Sequence, residues 1–102
     1  MKRVMVSYRV KPERSAENES YIRSVFAELE ATKPAGLRYA SFKLDDGVSF
    51  VHLASIETAD GSNPLLALSP FAAFTAQIRD RCEQPPVTVN LNVIGDYQLL
   101  TR

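Results

Sequence analysis

The chain contains no tryptophan, one cysteine and one histidine among its 102 residues. A single cysteine cannot close an internal disulfide, and a single histidine cannot supply the histidine triads of many metal centres. The four glycines form neither a phosphate-binding loop nor a G-x-S-x-G elbow. We therefore expect no bound metal and no cofactor, although a metal site made of carboxylates alone stays open.

The chain also lacks an excess of charge of either sign and any long apolar run. The 12 basic and 12 acidic residues cancel and are scattered, so the sequence indicates neither a nucleic-acid partner nor a membrane surface. No apolar run approaches membrane-spanning length, and no signal-peptide pattern is visible. We expect residues 1–102 to form a single domain in a soluble, reducing compartment, the cytoplasm.

The most informative stretch is a predicted β-hairpin over Leu37–Glu57, with its tip at Asp46-Gly47. A two-residue hairpin loop needs positive φ, which Asp-Gly adopts with little strain. The turn fixes which residues face each other across the two strands. The predicted pairs are Leu44 with Ser49, Lys43 with Phe50, Phe42 with Val51, Ser41 with His52, Ala40 with Leu53 and Tyr39 with Ala54.

Neither face of this hairpin has the composition of a surface left to water. Side chains alternate between the faces of a strand, so the two sets follow from the register. One face carries Ala40, Phe42, Leu44, Val51 and Leu53. The other carries Tyr39, Ser41, Lys43, Phe50, His52 and Ala54.

The remaining elements follow from periodicity and turn residues. Lys2–Val10 alternates as a strand, and apolar residues at helical spacing follow it until Pro34 and Gly36 end the helix. The apolar stripe of that helix is Tyr21, Ile22, Val25, Phe26 and Leu29. Asn63-Pro64 and Ser69-Pro70 predict two helix starts in quick succession, hence a broken second helix. Its buried side is predicted to carry Phe71, Phe74 and Ile78, and its exposed side Arg79, Asp80, Arg81 and Glu83. After Pro85-Pro86, a last strand is predicted over Val87–Val93.

This order predicts an α+β, ferredoxin-like βαββαβ fold: a four-stranded antiparallel sheet with both helices on one side. The helices are expected to cover the face bearing Val4, Val6, Tyr8, Phe42, Val51, Leu53, Val89 and Leu91. The uncovered face would then expose Met5, Tyr39, Phe50, Ala54, Ile56 and Ile94. Such a patch is too apolar for a monomer, so we expect two copies to pair into a dimeric α/β barrel.

Several short segments resemble the antibiotic biosynthesis monooxygenase-like family of the dimeric α/β-barrel superfamily. They are Val10-Lys11-Pro12, Pro34-Ala35-Gly36-Leu37-Arg38-Tyr39, Phe50-Val51-His52-Leu53, Ser69-Pro70-Phe71-Ala72-Ala73-Phe74 and Pro85-Pro86-Val87. The resemblance runs nearly end to end. It implies a homodimer in which two sheets close into an eight-stranded barrel, with any ligand cleft between helices and sheet.

The family resemblance also implies a chemistry. Better understood members oxygenate electron-rich phenols without metal or flavin, and relatives degrade haem. Their sites typically include a Trp, and the haem-degrading relatives use a His on the second helix. This chain has no Trp. The helical position at which relatives often carry the His falls between Pro70 and Phe71, and this chain has no residue there. Haem degradation is therefore disfavoured.

Two residues are the candidates for proton transfer. His52 is the only side chain that titrates near neutrality in its free state, and Tyr8 offers a phenol that polarises a substrate. The alternative for His52, which faces Ser41 across the hairpin, is a buried neutral imidazole at the dimer face that is hydrogen-bonded to a hydroxyl or a carbonyl.

The candidate ligand-binding residues are aromatic. Tyr21, Phe26, Phe71 and Phe74 lie on or beside the helical stripes and could form an apolar cleft for a planar, small aromatic ligand. An aromatic stripe at helical spacing is, however, more often simply core.

The leading hypothesis is thus a homodimeric barrel that binds a planar aromatic or quinol-type metabolite and acts as a cofactor-independent monooxygenase. The first alternative is a non-catalytic ligand-binding or interaction protein on the same scaffold, which the missing Trp favours. The second is an isomerase or lyase that uses His52 as its base.

Overall fold

The computed structural model describes residues 1–99. Its strands are β1 (Lys2–Val10), β2 (Leu37–Lys43), β3 (Ser49–Ile56) and β4 (Cys82–Asn90), and its helices are α1 (Ser15–Thr32), α2 (Ser69–Ala76) and α3 (Ile78–Arg81). Single 3-10 turns, Pro12–Arg14 and Pro64–Ala67, precede α1 and α2. The predicted order, including the broken second helix, is confirmed. Within residues 1–99, no helix combines the length and apolarity that crossing a bilayer requires.

The strands form one antiparallel sheet in the order β2-β3-β1-β4. Buried residues of α1 and α2, Val25 and Phe74, share a core cluster with Tyr8 and Phe50 of the sheet. Both helices therefore cover the same face, and the predicted ferredoxin-like α+β fold is confirmed.

The register of the hairpin is as predicted, with Ser41 opposite His52. Its tip is longer than the predicted two-residue turn. The Gly47 N–H donates to the Leu44 carbonyl at 3.0 Å, and the Asp46 carboxylate accepts from the N–H groups of Val48 and Ser49 at 3.0 and 2.8 Å. In this longer turn, the N–H groups of Val48 and Ser49 do not pair with the opposite strand, and the Asp46 carboxylate accepts both.

The last strand begins five residues earlier than predicted, at Cys82, and runs through Pro85-Pro86 before it ends at Asn90. The prediction that these prolines precede the strand was wrong. Two features let β4 accept these prolines: it lies at the edge of the sheet, and its register with β1 shifts between Gln84 and Val87, so regular pairing is interrupted at Pro85-Pro86.

The predicted assignment of sheet faces was wrong for β2, β3 and β4. The β1–β3 register sets Val6 opposite His52 and Tyr8 opposite Phe50, and residues directly opposite share a face. His52 therefore lies beneath the helices, together with Tyr39, Phe50, Ala54 and Ile56, all of which were predicted on the uncovered side. Phe42, Val51, Leu53 and Val89 lie on the uncovered side instead.

We call this uncovered side the open face. It comprises the adjoining side chains of Met5, Ala40, Phe42, Val51, Leu53, Val87 and Val89. Phe42 is 49% exposed and Val87 is 59% exposed. An apolar open face was predicted, and one is present, although Met5 is the one predicted member among these residues.

Candidate active site

A cleft of about 400 Å³ lies between the helices and the covered face of the sheet. Tyr8, Tyr39, His52 and Thr88 contribute its sheet wall, while Phe71, Phe74, Thr75 and Ile78 contribute its helical wall. Asn63 and Leu65 close it from the turn before α2. The cleft thus combines an aromatic and apolar lining with a few hydroxyl and imidazole groups, which is typical of small-molecule sites.

His52 is the centre of a hydrogen-bonded group in this wall. Its Nε2 lies 2.8 Å from the Tyr8 hydroxyl, and its Nδ1 lies 2.8 Å from the Tyr39 hydroxyl and 2.7 Å from that of Ser41. The sheet register produces this arrangement, because Ser41 and Val6 flank His52 on the neighbouring strands. The predicted contact with Ser41 is present, but beneath the helices rather than at a dimer face.

Burial keeps these groups uncharged. His52 is 4% exposed, and burial lowers its pKa from 6.5 to about 4, so the imidazole is neutral at pH 7. Burial likewise raises the pKa of Tyr39 to about 12, against a smaller lowering effect of its hydrogen bond with Ser41. The pKa of Tyr8 is raised by burial and lowered in part by its hydrogen bond from Asn18. A positive charge formed here needs a counter-charge from a ligand, because no carboxylate is among the residues that line the cleft within 1–99.

Asn18 and Arg81 extend the group from behind Tyr8. The amide Nδ2 of Asn18 donates to the Tyr8 hydroxyl at 2.9 Å, and Arg81 Nε donates to Asn18 Oδ1 at 3.2 Å. Both side chains are fully buried. A continuous row of hydrogen bonds therefore links Arg81 on α3 to His52 on β3.

Neither Asn18 nor Arg81 was predicted from the sequence to be part of a site. Asn18 precedes Tyr21, Ile22 and Val25 by three, four and seven residues, so the helical period alone places it on the buried stripe. Arg81 was predicted on the exposed side of its helix, which was wrong. Its spacing of three from Ile78 was the available signal, but a charged side chain is seldom fully buried.

The structure brings four of the six candidate residues to the cleft. Tyr8 and His52 stack with ring centroids 5.4 Å apart, and Phe74 lies 5.4 Å from His52 and 6.1 Å from Phe71. Phe71 and Phe74 line the cleft without filling it. These four residues form an aromatic wall against which a planar molecule can lie.

The other two candidates lie outside the lining. Phe26 stacks on Tyr39 with a centroid distance of 5.3 Å, and Tyr21 lies 4.5 Å from the guanidinium carbon of Arg81. Both therefore support residues of the hydrogen-bonded row. Neither is among the side chains that line the cleft in the described part of the chain.

Asn63 has the capping role that its position before Pro64 predicts. Its Oδ1 accepts a hydrogen bond from the Leu65 N–H at 3.0 Å, while the residue also lines the cleft. Ser69, in contrast, does not cap α2, because it is already the first helical residue. Asn63 is thus fixed by the backbone that it caps.

A second cavity, of about 460 Å³, lies on the open face. The segment after β4, including Leu91 and Ile94, covers part of it, and Arg3 and Arg38 lie beside it. Both arginines pair with Glu57 at 3.7 and 3.3 Å. Tyr39 also lines this cavity, but Tyr8 and His52 are not among its lining residues within 1–99, so the first cleft is the candidate active site.

Comparisons with known proteins find the fold rather than a close relative. No family model matches the chain, and no curated protein matches it. An antibiotic biosynthesis monooxygenase matches with a TM-score of 0.73 and 19% identity, over 93% of this chain and 100% of the other. Rv0793 from Mycobacterium tuberculosis matches with a TM-score of 0.73 and 14% identity, over 93% and 96%.

A variant of SnoaB, a cofactor-independent oxygenase from Streptomyces nogalater, also matches, with a TM-score of 0.67 and 19% identity over 95% and 96% of the two chains. The chain has the antibiotic biosynthesis monooxygenase fold. The resemblance found in the sequence is confirmed at this level. With identities below 20%, these three matches show a shared fold and leave the chemistry to the side chains.

Proposed function

We propose that this chain is a cofactor-independent monooxygenase of the antibiotic biosynthesis monooxygenase-like family, acting on a planar phenolic or quinol-type metabolite. The observation that carries the proposal is a neutral imidazole, His52, held between the hydroxyls of Tyr8 and Tyr39 in the wall of an aromatic cleft. The shared fold with SnoaB supports it. The proposed reaction needs a proton acceptor that is shielded from water, and His52 is 4% exposed and neutral.

The cleft favours a flat ligand with a polar edge. Phe71 and Phe74 offer ring faces, while Tyr8, Tyr39 and His52 present hydroxyl and imidazole groups on the opposite, sheet side. About 400 Å³ is within the range of cavities that enclose small organic molecules. A fused aromatic system with one hydroxyl directed at Tyr8 satisfies both walls.

The proposed chemistry begins with proton transfer. A substrate hydroxyl gives its proton to the Tyr8 oxygen as Tyr8 passes its own proton to His52 Nε2, which leaves a substrate anion beside an imidazolium. The anion provides the counter-charge that the buried imidazolium otherwise lacks.

Dioxygen is the co-reactant in the next step. The substrate carbanion forms a C–O bond to dioxygen, and the resulting peroxide takes the proton back from His52. Loss of water then leaves a carbonyl. For an anthrone-like CH₂ group, one O₂ is consumed, one C=O is formed and one water is released.

Oxygen uptake with anthrone and with a naphthoquinol tests this proposal. We expect the wild-type protein to accelerate uptake in air and to form no product under nitrogen. Tyr8→Phe and His52→Gln are expected to lower the rate by about 10²- to 10⁴-fold, the usual contribution of general acid–base catalysis. Tyr97→Phe is the matched control, because Tyr97 is exposed and lies outside the cleft lining.

Other results of these assays would contradict the oxygenase or favour an alternative function. Equal rates with and without protein would refute the oxygenase, and thermal stabilisation by a probe without turnover would favour a ligand-binding protein. An isomerised product under nitrogen that disappears in His52→Gln would favour an isomerase or lyase.

We also propose that two copies pair through the open face into a dimeric barrel. The exposed apolar side chains of Phe42, Val87 and Val89 support this pairing, because contiguous patches of this kind usually mark an interface. Light scattering should give twice the mass of the 11.3 kDa chain. Val89→Glu should give the monomer mass, whereas Leu66→Glu, at an exposed leucine outside the open face, should not.

The cytoplasm is the compartment that we propose. Cys82 is a buried free thiol, which suits a reducing environment. Fractionation of cells that express the chain tests this assignment, and recovery outside the cytoplasmic fraction would overturn it.

A further inference from the structure

Arg81 is a buried cation that forms no salt bridge in the described part of the chain, although its charge contributes, after the hydrogen bond from Arg14, to the lowered pKa of Glu17. Its Nη2 donates to the Phe74 carbonyl at 2.6 Å, and its guanidinium lies 4.5 Å from the ring centroid of Tyr21. Its Nη1 is buried and has no hydrogen-bond partner within residues 1–99. Burial of a charge under these conditions is unfavourable, so stability alone does not account for this side chain.

The contact with Asn18 fixes the orientation of an amide. A guanidinium has five N–H donors and no acceptor, so the Asn18 atom 3.2 Å from Arg81 Nε must be the carbonyl oxygen. The NH₂ group of Asn18 therefore points at the Tyr8 oxygen, 2.9 Å away. Arg81 thus determines which end of Asn18 faces the site.

The direction of the next two hydrogen bonds follows. The Tyr8 oxygen accepts from Asn18, and the only other hydrogen-bond partner of this oxygen within residues 1–99 is His52 Nε2, at 2.8 Å. Tyr8 then donates its proton to Nε2, so the proton of the neutral imidazole is on Nδ1. That nitrogen faces the oxygens of Ser41 and Tyr39, which can accept it.

We propose that Arg81 is a positioning residue which, by orienting Asn18, directs the Tyr8 proton at His52 and holds His52 as its Nδ1–H tautomer. Its importance for turnover rests on the proposed function, whereas the tautomer does not. In the reaction proposed above, the hydrogen bond that Tyr8 donates leaves His52 Nε2 unprotonated and able to receive the Tyr8 proton. The remaining lone pair of the Tyr8 oxygen is then free for the substrate hydroxyl.

The chain contains one histidine, so a ¹⁵N-histidine-labelled sample gives one pair of ring signals. Long-range ¹H–¹⁵N correlation at pH 7 distinguishes the two tautomers. We expect the wild-type protein to show the Nδ1–H form. The Nε2–H form, or an even mixture, would overturn the proposal.

Asn18→Asp tests the orientation of the amide most directly, because it replaces the amide group and leaves Arg81 in place. The new carboxylate only accepts, so it takes hydrogen bonds from both Arg81 and Tyr8. Tyr8 can then no longer donate to His52, and His52 must donate to it from Nε2. We expect the tautomer ratio to change by about tenfold or more towards Nε2–H, in keeping with one redirected hydrogen bond. An unchanged ratio would overturn the proposal.

Arg81→Met tests the cation itself, with Arg23→Met on the exposed side of α1 as the matched control. Methionine has a similar length and no donor, so the amide of Asn18 is free to turn, and the excess of Nδ1–H should fall. The control should retain the wild-type ratio, and a shift of the control equal to that of Arg81→Met would overturn the assignment.

Arg81→Lys keeps a donor beside Asn18 and should preserve the Nδ1–H form where Arg81→Met does not. This variant, like Asn18→Asp, keeps the test decisive if Arg81→Met fails to fold. Oxygen uptake is measured separately, so its absence would refute the oxygenase and leave the tautomer result standing.

Discussion

The two faces of the sheet differ in a way that hydrophobicity alone does not explain. The face beneath the helices buries His52 and Tyr8 and half-buries Ser41, whereas the open face exposes Phe42 and Val87. The buried polar groups are hydrogen-bonded to one another, which removes most of the cost of taking them out of water. Polar residues can therefore mark the inner side of a sheet when their partners come from neighbouring strands.

The largest expected difference is between two phenylalanines of the same hairpin. Phe50 is 1% exposed beneath the helices, so Phe50→Ala should lower the free energy of unfolding by about 3–5 kcal/mol. Phe42 lies on the open face, and Phe42→Ala should cost about 1 kcal/mol or less in dilute solution. Urea denaturation measures both.

The difference in stability between Phe42→Ala and Phe50→Ala should depend on protein concentration. If the open face pairs in a dimer, the cost of Phe42→Ala should grow with protein concentration, while that of Phe50→Ala should stay constant. Equal costs for both variants at every concentration would contradict the difference between the faces.

The next effect is the pH dependence that burial of His52 produces. Its pKa is about 4 in the folded protein and 6.5 when unperturbed, so between these values the unfolded chain binds more protons than the folded one. Stability is therefore unaffected by His52 above pH 6.5 and falls as the pH decreases towards 4. The total loss is about 3 kcal/mol.

His52→Gln is the control for this titration. Between pH 6.5 and 5 the variant should lose the slope of unfolding free energy against pH, which urea denaturation at several pH values measures. Asp46 and Glu57 have lowered pKa values, and their titration therefore falls below this window. A wild-type stability that stays flat from pH 6.5 to 5 would show that His52 is not buried as described.

The smallest expected effect concerns two serines on opposite faces. The Ser41 hydroxyl lies 2.7 Å from His52 Nδ1, but Tyr39 remains there as a second partner, so Ser41→Ala should cost about 1 kcal/mol. Ser7 is on the open face, and its hydroxyl has no hydrogen bond to another residue within 1–99, so Ser7→Ala should be close to neutral. Thermal unfolding of both variants gives the difference, and a larger loss in Ser7→Ala would reverse the comparison.

Much of the fold could be predicted from local patterns. The alternation of side chains and the Asp-Gly turn predicted the register of the hairpin. The capping residue Asn63 and the prolines at the two helix starts predicted the broken second helix. The start of β4 could not be predicted this way, because tolerance of Pro85 and Pro86 depends on the edge position of the strand and on the shift in its register with β1.

The candidate site was only partly predictable for a related reason. His52 and Tyr8 stand out by chemical type, and Phe71 and Phe74 by helical spacing, and all four line the cleft. Asn18 and Arg81 do not stand out, because a polar residue on an apolar stripe is interpretable only when its partner is known. That partner is 63 residues away in the chain.

Local sequence patterns were sufficient to predict the order of the elements, the pairing within the hairpin and an excess of apolar surface that two helices cannot cover. Which side of the hairpin the helices cover depends on contacts between distant parts of the chain. The reason is the register between β1 and β3: side chains alternate, so a shift of one residue exchanges the two faces, and here both faces of the hairpin carry apolar residues. Long-range hydrogen bonds among Tyr8, His52 and Asn18 stabilise the register that places His52 inside.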